Sequence, residues 1–246
     1  MKTTDSLLSL QRAGILATSA LLLSVFALPA EAIVVAPSGP LVTVTADGNV
    51  HEIPWREVSK GAASANGVMA YEIEDYSVEM PGEYAFTIGR ALLDPDPSIA
   101  YAVSVVDFGV PTSFLFTFTT PIVPTGSPNL VSASLTGALT DGGRDGVTIT
   151  PIGAKIQSSA VGGPLTAMGV NVSLNEVAGP LAGPAGTWTM LQVSTGFTLS
   201  GGGDGASLNG FASINEGQLL VPEPASLALL GLALAAAAAG RGRRQR

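Results

Sequence analysis

The side chains best placed for chemistry are carboxylates in loops rich in glycine and proline. Asp94 and Asp96 flank Pro95, and Asp141 and Asp145 bracket Gly142, Gly143 and Arg144 just ahead of Gly146. Loop oxygens at this spacing suit a hard cation, and calcium asks for roughly six to eight of them. The loop at 141–146 departs from the EF-hand pattern, because Arg144 intrudes and Ile152 stands where the terminal Glu should be. The run Gly201, Gly202, Gly203, Asp204, Gly205 is similar to a calcium nonapeptide but occurs once, where stacked copies are needed. Turn chemistry accounts for Asp and Gly at such places, so no cofactor is expected, and calcium is the alternative. Nucleophilic catalysis is poorly served, since His51 is the one histidine, cysteine is absent and no G-x-S-x-G elbow occurs. A glycosidase needs two carboxylates about 5–9.5 Å apart; Glu72, Glu74, Asp75 and Asp107 are available, and their spacing singles out no pair. P-loop, dinucleotide and zinc patterns are missing as well.

The elements that must position these residues read as strands. Residues 41–45 and 50–55 flank Asp47-Gly48, a hairpin cue. Residues 60–67 read as a loop of small residues. Residues 68–80 alternate, with Tyr71, Ile73 and Asp75 against Glu72, Glu74 and Tyr76, and Pro81-Gly82 turns the chain into the next strand. Phe114, Phe116 and Phe118 recur at period two, so one face of residues 113–120 fills a core. Residues 98–108 and 113–120 read as a hairpin at the centre of the fold. Beyond Pro121 come runs rich in Val, Thr, Ser and Leu at 130–140, 147–152, 165–177, 187–200 and 207–221, separated by Gly- and Pro-containing turns. Turns at these intervals without helical periodicity predict an all-β fold, a single antiparallel β-sandwich or jelly-roll-like domain.

Composition points beyond an ordinary core. The 246 residues are 46% hydrophobic and only 12% charged, with 30 Gly, 17 Pro and no Cys; no disulfide framework is available to an exported chain. Residues 33–221 hold five basic against sixteen acidic residues, a net charge of −11. Such a surface repels phosphate backbones and argues against nucleic-acid binding.

Both ends carry export signals. Lys2 and Arg12 precede an uncharged run over residues 13–28, closed by Ala30-Glu31-Ala32. That order is a secretory signal peptide, residues 1–32, helical in its apolar run and cleaved by signal peptidase after Ala32, with Ala30 and Ala32 as the small residues of the site.

At the other end, Pro222-Glu223-Pro224 precedes sixteen residues without charge, 225–240, and then Arg241, Arg243, Arg244 and Arg246. Prolines stop regular structure, the Ala/Leu run forms a hydrophobic helix that enters a membrane, and the arginines hold the last residues in the cytoplasm. The helix would rise about 24 Å, short of a hydrocarbon core of about 30 Å, and so suits a transient anchor. This order resembles the PEP-CTERM sorting signal of bacterial envelope proteins, and residues 94–101 loosely resemble a segment of other such proteins. The resemblance implies handling by exosortase, a transpeptidase-like membrane enzyme, and a link to exopolysaccharide and biofilm. The expected organisation is a signal peptide (1–32), a β-sandwich body (33–220) and a sorting signal (221–246). Such a protein is exported across the inner membrane, anchored there transiently, and left at the cell surface or outside the cell. It is expected to be non-catalytic, with a carbohydrate- or calcium-binding adhesive module as the alternative and a glycan-active enzyme as the third possibility.

Overall fold

A computed structural model describes residues 39–54, 58–63, 69–125, 129–162, 167–183 and 186–216. Among these, fourteen strands pair antiparallel in two seven-stranded sheets, as the alternation in the sequence predicts. In chain order they are β1 (Pro40–Ala46), β2 (Asn49–Pro54), β3 (Ser59–Ala63), β4 (Met69–Met80), β5 (Tyr84–Asp94), β6 (Ser98–Asp107) and β7 (Ser113–Thr125). Then follow β8 (Asn129–Thr140), β9 (Ile149–Pro151), β10 (Gln157–Gly162), β11 (Ala167–Val172), β12 (Glu176–Ala182), β13 (Trp188–Leu199) and β14 (Asp204–Glu216). The first sheet runs β11-β10-β13-β7-β1-β2, with β9 also on β13; the second runs β12-β8-β14-β6-β5-β4-β3.

The two inner faces meet in one aromatic core. Phe114, Phe116 and Phe118 of β7 are completely buried, and each meets a ring of the opposite sheet. Tyr84 stands edge-on to Phe114 at 5.9 Å, Phe86 edge-on to Phe116 at 5.7 Å, and Tyr101 stacks on Phe118 at 4.4 Å. Burial of each ring contributes roughly 1.5–3 kcal/mol, so this stripe is a large part of what joins the sheets.

Several local expectations are corrected. Strands β6 and β7 are not a hairpin: they lie in different sheets and face each other across the core. The cause is Asp107, fully buried, whose carboxylate accepts the Thr112 N–H at 2.7 Å and the Gly109 N–H at 3.2 Å. These bonds shape residues 108–112 into a crossover, and each apolar stripe then buries against the other. The run at 165–177 is two strands, β11 and β12, broken by a turn with Asn175 at φ 58°. Residues 59–63 form the edge strand β3 rather than a loop. In β4 the alternation slips at Asp75, which adopts φ 51° and is exposed, so Tyr71 and Ile73 but then Tyr76, Val78 and Met80 turn toward the core.

The strands run lengthwise, so the sandwich has two poles. At one, the turn at 47–48, the turn at 81–83 and the loops at 108–112, 141–148 and 200–203 gather through Asp47 N–H to Ser113 O (3.0 Å), Phe108 N–H to Glu83 O (2.9 Å) and Gly202 N–H to Gly109 O (2.8 Å). At the other, Val123 N–H reaches Pro95 O at 3.1 Å and Ile214 N–H reaches Pro97 O at 3.0 Å.

Candidate functional site

The first pole holds the densest group of possible ligands. Asp141, Asp145 and Asp204 each offer a carboxylate oxygen, all within 4.8 Å of one another. Asp141 and Asp145 are exposed and Asp204 is completely buried.

Local backbone chemistry builds this cluster. Asp141 accepts the N–H groups of Arg144 at 2.6 Å and Gly146 at 3.1 Å, closing its loop in the manner usual for Asp. Asp204, the first residue of β14, accepts Gly142 N–H at 3.3 Å and the Ser200 hydroxyl, tying the second loop to the first. The glycines are required by proximity as well as by dihedral. Gly201, Gly202 and Gly203 all have positive φ, and a Cβ on Gly142 would lie 2.1 Å from the Gly203 carbonyl oxygen. With side chains there the loops could not approach closely enough to bring Asp204 beside Asp141.

Two oxygens on opposite sides of a calcium ion, each at about 2.4 Å, lie about 4.8 Å apart, so the three carboxylates fit around such an ion. They would supply part of its coordination and leave the remainder to backbone carbonyls and water. Arg144 lies in the same loop, and the ion pairs among the described residues, Arg90 with Glu72 at 2.6 Å and Lys155 with Glu176 at 2.9 Å, are elsewhere.

The other loop carboxylates do not join the cluster. Asp94 and Asp96 lie at the opposite pole, where Asp94 accepts the Asp96 N–H at 2.9 Å in a tight turn. Burial raises the Asp94 pKa and the charge of Asp96 adds to this, against the lowering effect of that bond. Of the carboxylates considered for glycan hydrolysis, Glu72 is half-buried and holds Arg90, Glu74 and Asp75 are exposed, and Asp107 faces the core. The strand registers place Glu72 beside Leu92 and Ala100, seven residues along β6 from Asp107, or about 23 Å. An open trough of about 300 Å³ does form over the outer face of this sheet, floored by Ala100 and Ala102 between Arg90 and Asn209. His51 packs edge-on to Phe86 at 5.4 Å and takes no part in the cluster.

Spacing in the sequence puts Asp141 and Asp145 in a common loop but does not mark Asp204 as their third partner. Its glycine-rich surroundings were the available signal. The proximity itself arises from β8 pairing with β14, where Thr140 meets Gly205 across more than sixty residues of chain.

Pro222, Glu223, Pro224, the arginines at 241, 243, 244 and 246, and the small residues Ala30 and Ala32 lie outside the described residues, as do both apolar runs. Among the described residues, no helix is long and apolar enough to cross a membrane. For the C-terminal stretch the sequence comparison decides, since the family model described as the PEP-CTERM protein-sorting motif matches residues 220–244. The chain carries a PEP-CTERM sorting signal. Such a signal marks a protein for export and for exosortase, a membrane protein, which sorts it toward the cell surface. The match begins only four residues after the last residue of β14, so sandwich and PEP-CTERM signal are nearly contiguous. No curated protein and no solved structure matches the chain.

Proposed function

We propose that this is a non-catalytic protein of the cell envelope or extracellular matrix whose sandwich is delivered by its PEP-CTERM signal. Residues 1–32 direct export and are removed by signal peptidase. Residues 225–240 and the arginines behind them halt the chain in the inner membrane, and exosortase cleaves at Pro222-Glu223-Pro224. The released body then joins the exopolysaccharide or biofilm matrix. The observation that carries this reading is the ordered tail of motif, apolar run and basic cluster, matched over residues 220–244. Its test is fractionation of host cells bearing Pro222→Ala, Glu223→Ala and Pro224→Ala together. This variant is expected to accumulate in the membrane fraction, and release equal to wild type would overturn the role given to the motif.

The convergence of Asp141, Asp145 and Asp204 favours a second reading, a calcium-assisted adhesive module. Here calcium at about 100 times its Kd is expected to stabilise the fold by about 2.7 kcal/mol, raising Tm by roughly 5–10 °C. Asp145→Ala should abolish the rise by removing one of the three converging carboxylates, and Asp145 has no hydrogen bond among the described residues whose loss would confuse the result. Asp96→Ala, at the other pole, should retain it. A Tm that ignores calcium would remove this reading and leave the first untouched.

A further inference from the structure

The direction of β14 fixes which end of the sandwich lies next to the sorting signal. The strand starts at Asp204, opposite Asp107, in the aspartate-bearing pole, and ends at Glu216, opposite Asn129. Ser213 lies opposite Ser98, so the chain leaves the fold beside the turn at 95–97. Thirteen residues of strand separate the two poles by about 40 Å. Eight residues, 217–224, separate Glu216 from the first residue of the apolar run; fully extended they span at most about 28 Å. A body held at one pole by a tether shorter than itself cannot turn end over end to set its far pole on the membrane.

Charge opposes the remaining alternative, a sandwich lying on its side. Both poles are acidic: the far one exposes Asp47, Glu83, Asp141 and Asp145 with Arg144 as the single basic residue in its loops, and the near one carries Asp94 and Asp96, with Glu216 at the end of β14. Lying flat sets both groups of acids against an anionic lipid surface, whereas standing on end sets only the near group there.

We propose that, while its C-terminal signal is engaged, the sandwich stands end-on at the membrane. The pole containing the 95–97 turn and Val123 abuts the lipid surface, and the aspartate and glycine loops are outermost. The proposal rests on the reading of residues 225–240 as the membrane-held segment. It makes the aspartate-bearing pole the surface that an extracellular ligand meets first, even before cleavage.

The absence of cysteine from the chain allows single thiols to report position without background. Val110→Cys and Val50→Cys mark the aspartate-bearing pole, where these residues are 76% and 60% exposed. Val123→Cys and Leu181→Cys mark the other pole, at 40% and 55% exposed. Each is made in the full chain carrying Pro222→Ala, Glu223→Ala and Pro224→Ala, labelled with a fluorescent donor, and reconstituted into phosphatidylcholine/phosphatidylglycerol vesicles with an acceptor on the headgroups. Energy transfer from positions 123 and 181 is expected to exceed that from 110 and 50 several-fold. Equal transfer from both poles, or the reverse order, overturns the orientation while leaving membrane attachment intact. Failure of all four labelled chains to float with the vesicles overturns the membrane-held reading and the orientation together.

Discussion

Gly210→Ala is expected to destabilise the sandwich by about 3 kcal/mol or more. Gly210 on β14 stands directly opposite Tyr101 on β6, and the tyrosine ring leans across the space a side chain would fill. A Cβ at position 210 would lie 2.0 Å from Tyr101 Cζ and 2.1 Å from its Oη, distances that demand movement. The ring has nowhere to go. Its hydroxyl donates to Gln157 Oε1 at 2.8 Å and bonds Thr195 Oγ1, and its face stacks on Phe118 at 4.4 Å. Gln157 and Thr195 are both completely buried, so pushing Tyr101 aside strands their polar groups inside the core. Burial has already raised the Tyr101 pKa far above its ordinary value, and the hydroxyl stays protonated as the donor. Gly89→Ala, where a Cβ meets nothing within 4 Å, is the control and is expected to change stability by no more than about 0.5 kcal/mol. Urea unfolding measures both. The pair Tyr101→Ala and Gly210→Ala together should cost less than the sum of the single changes, because removing the ring relieves the clash. Near-wild-type stability for Gly210→Ala would contradict the register that places Tyr101 over this glycine.

Asp107→Ala is expected to cost about 3 kcal/mol, through two backbone N–H groups that lose a charged acceptor inside the protein. Thr112 N–H and Gly109 N–H both point at the Asp107 carboxylate, and Thr112 is itself buried. The damage should spread beyond the crossover loop. Gly202 N–H bonds Gly109 O, Gly203 N–H bonds Asp107 O at 2.7 Å, and a Cβ on Gly201 would strike Gly109 O at 2.5 Å. Loosening residues 108–112 therefore loosens the glycine loop that holds Asp204 beside Asp141. Asp107→Asn keeps one acceptor oxygen and should fall between alanine and wild type in chemical denaturation. A full loss with asparagine would show that charge rather than loop closure is what the site requires, and no loss with alanine would contradict the loop's dependence on Asp107.

The class of fold was legible because local pattern decides it. The Phe114, Phe116, Phe118 stripe has a period that only a strand can place on one face, and Asp47-Gly48 and Pro81-Gly82 mark turns where the structure has them. The partnership of strands was not legible. Residues 98–108 and 113–120 look like a hairpin because a short loop joins two apolar runs, but the Asp107 carboxylate directs that loop across the core, and a single buried acid leaves no periodic trace. The Asp75 irregularity escaped for a related reason, since alternation in sequence holds only while every residue occupies one pleat. In the candidate site, Asp141 and Asp145 announce themselves by spacing within one loop. Asp204 belongs with them only because β8 and β14 pair in one register, which is a property of the whole sheet. The sorting signal lies at the other extreme. Its parts are contiguous in the chain, so Pro222, Glu223 and Pro224, the apolar run and the arginines can be read in order without knowledge of any fold.

Processed export is tested most directly by the intact mass of the protein recovered from the envelope and medium of its own host. The expected mass is that of a chain lacking residues 1–32 and everything beyond the Pro-Glu-Pro motif, its sandwich otherwise complete. A mass that still includes Arg246 would contradict cleavage by exosortase and leave a protein held by its tail.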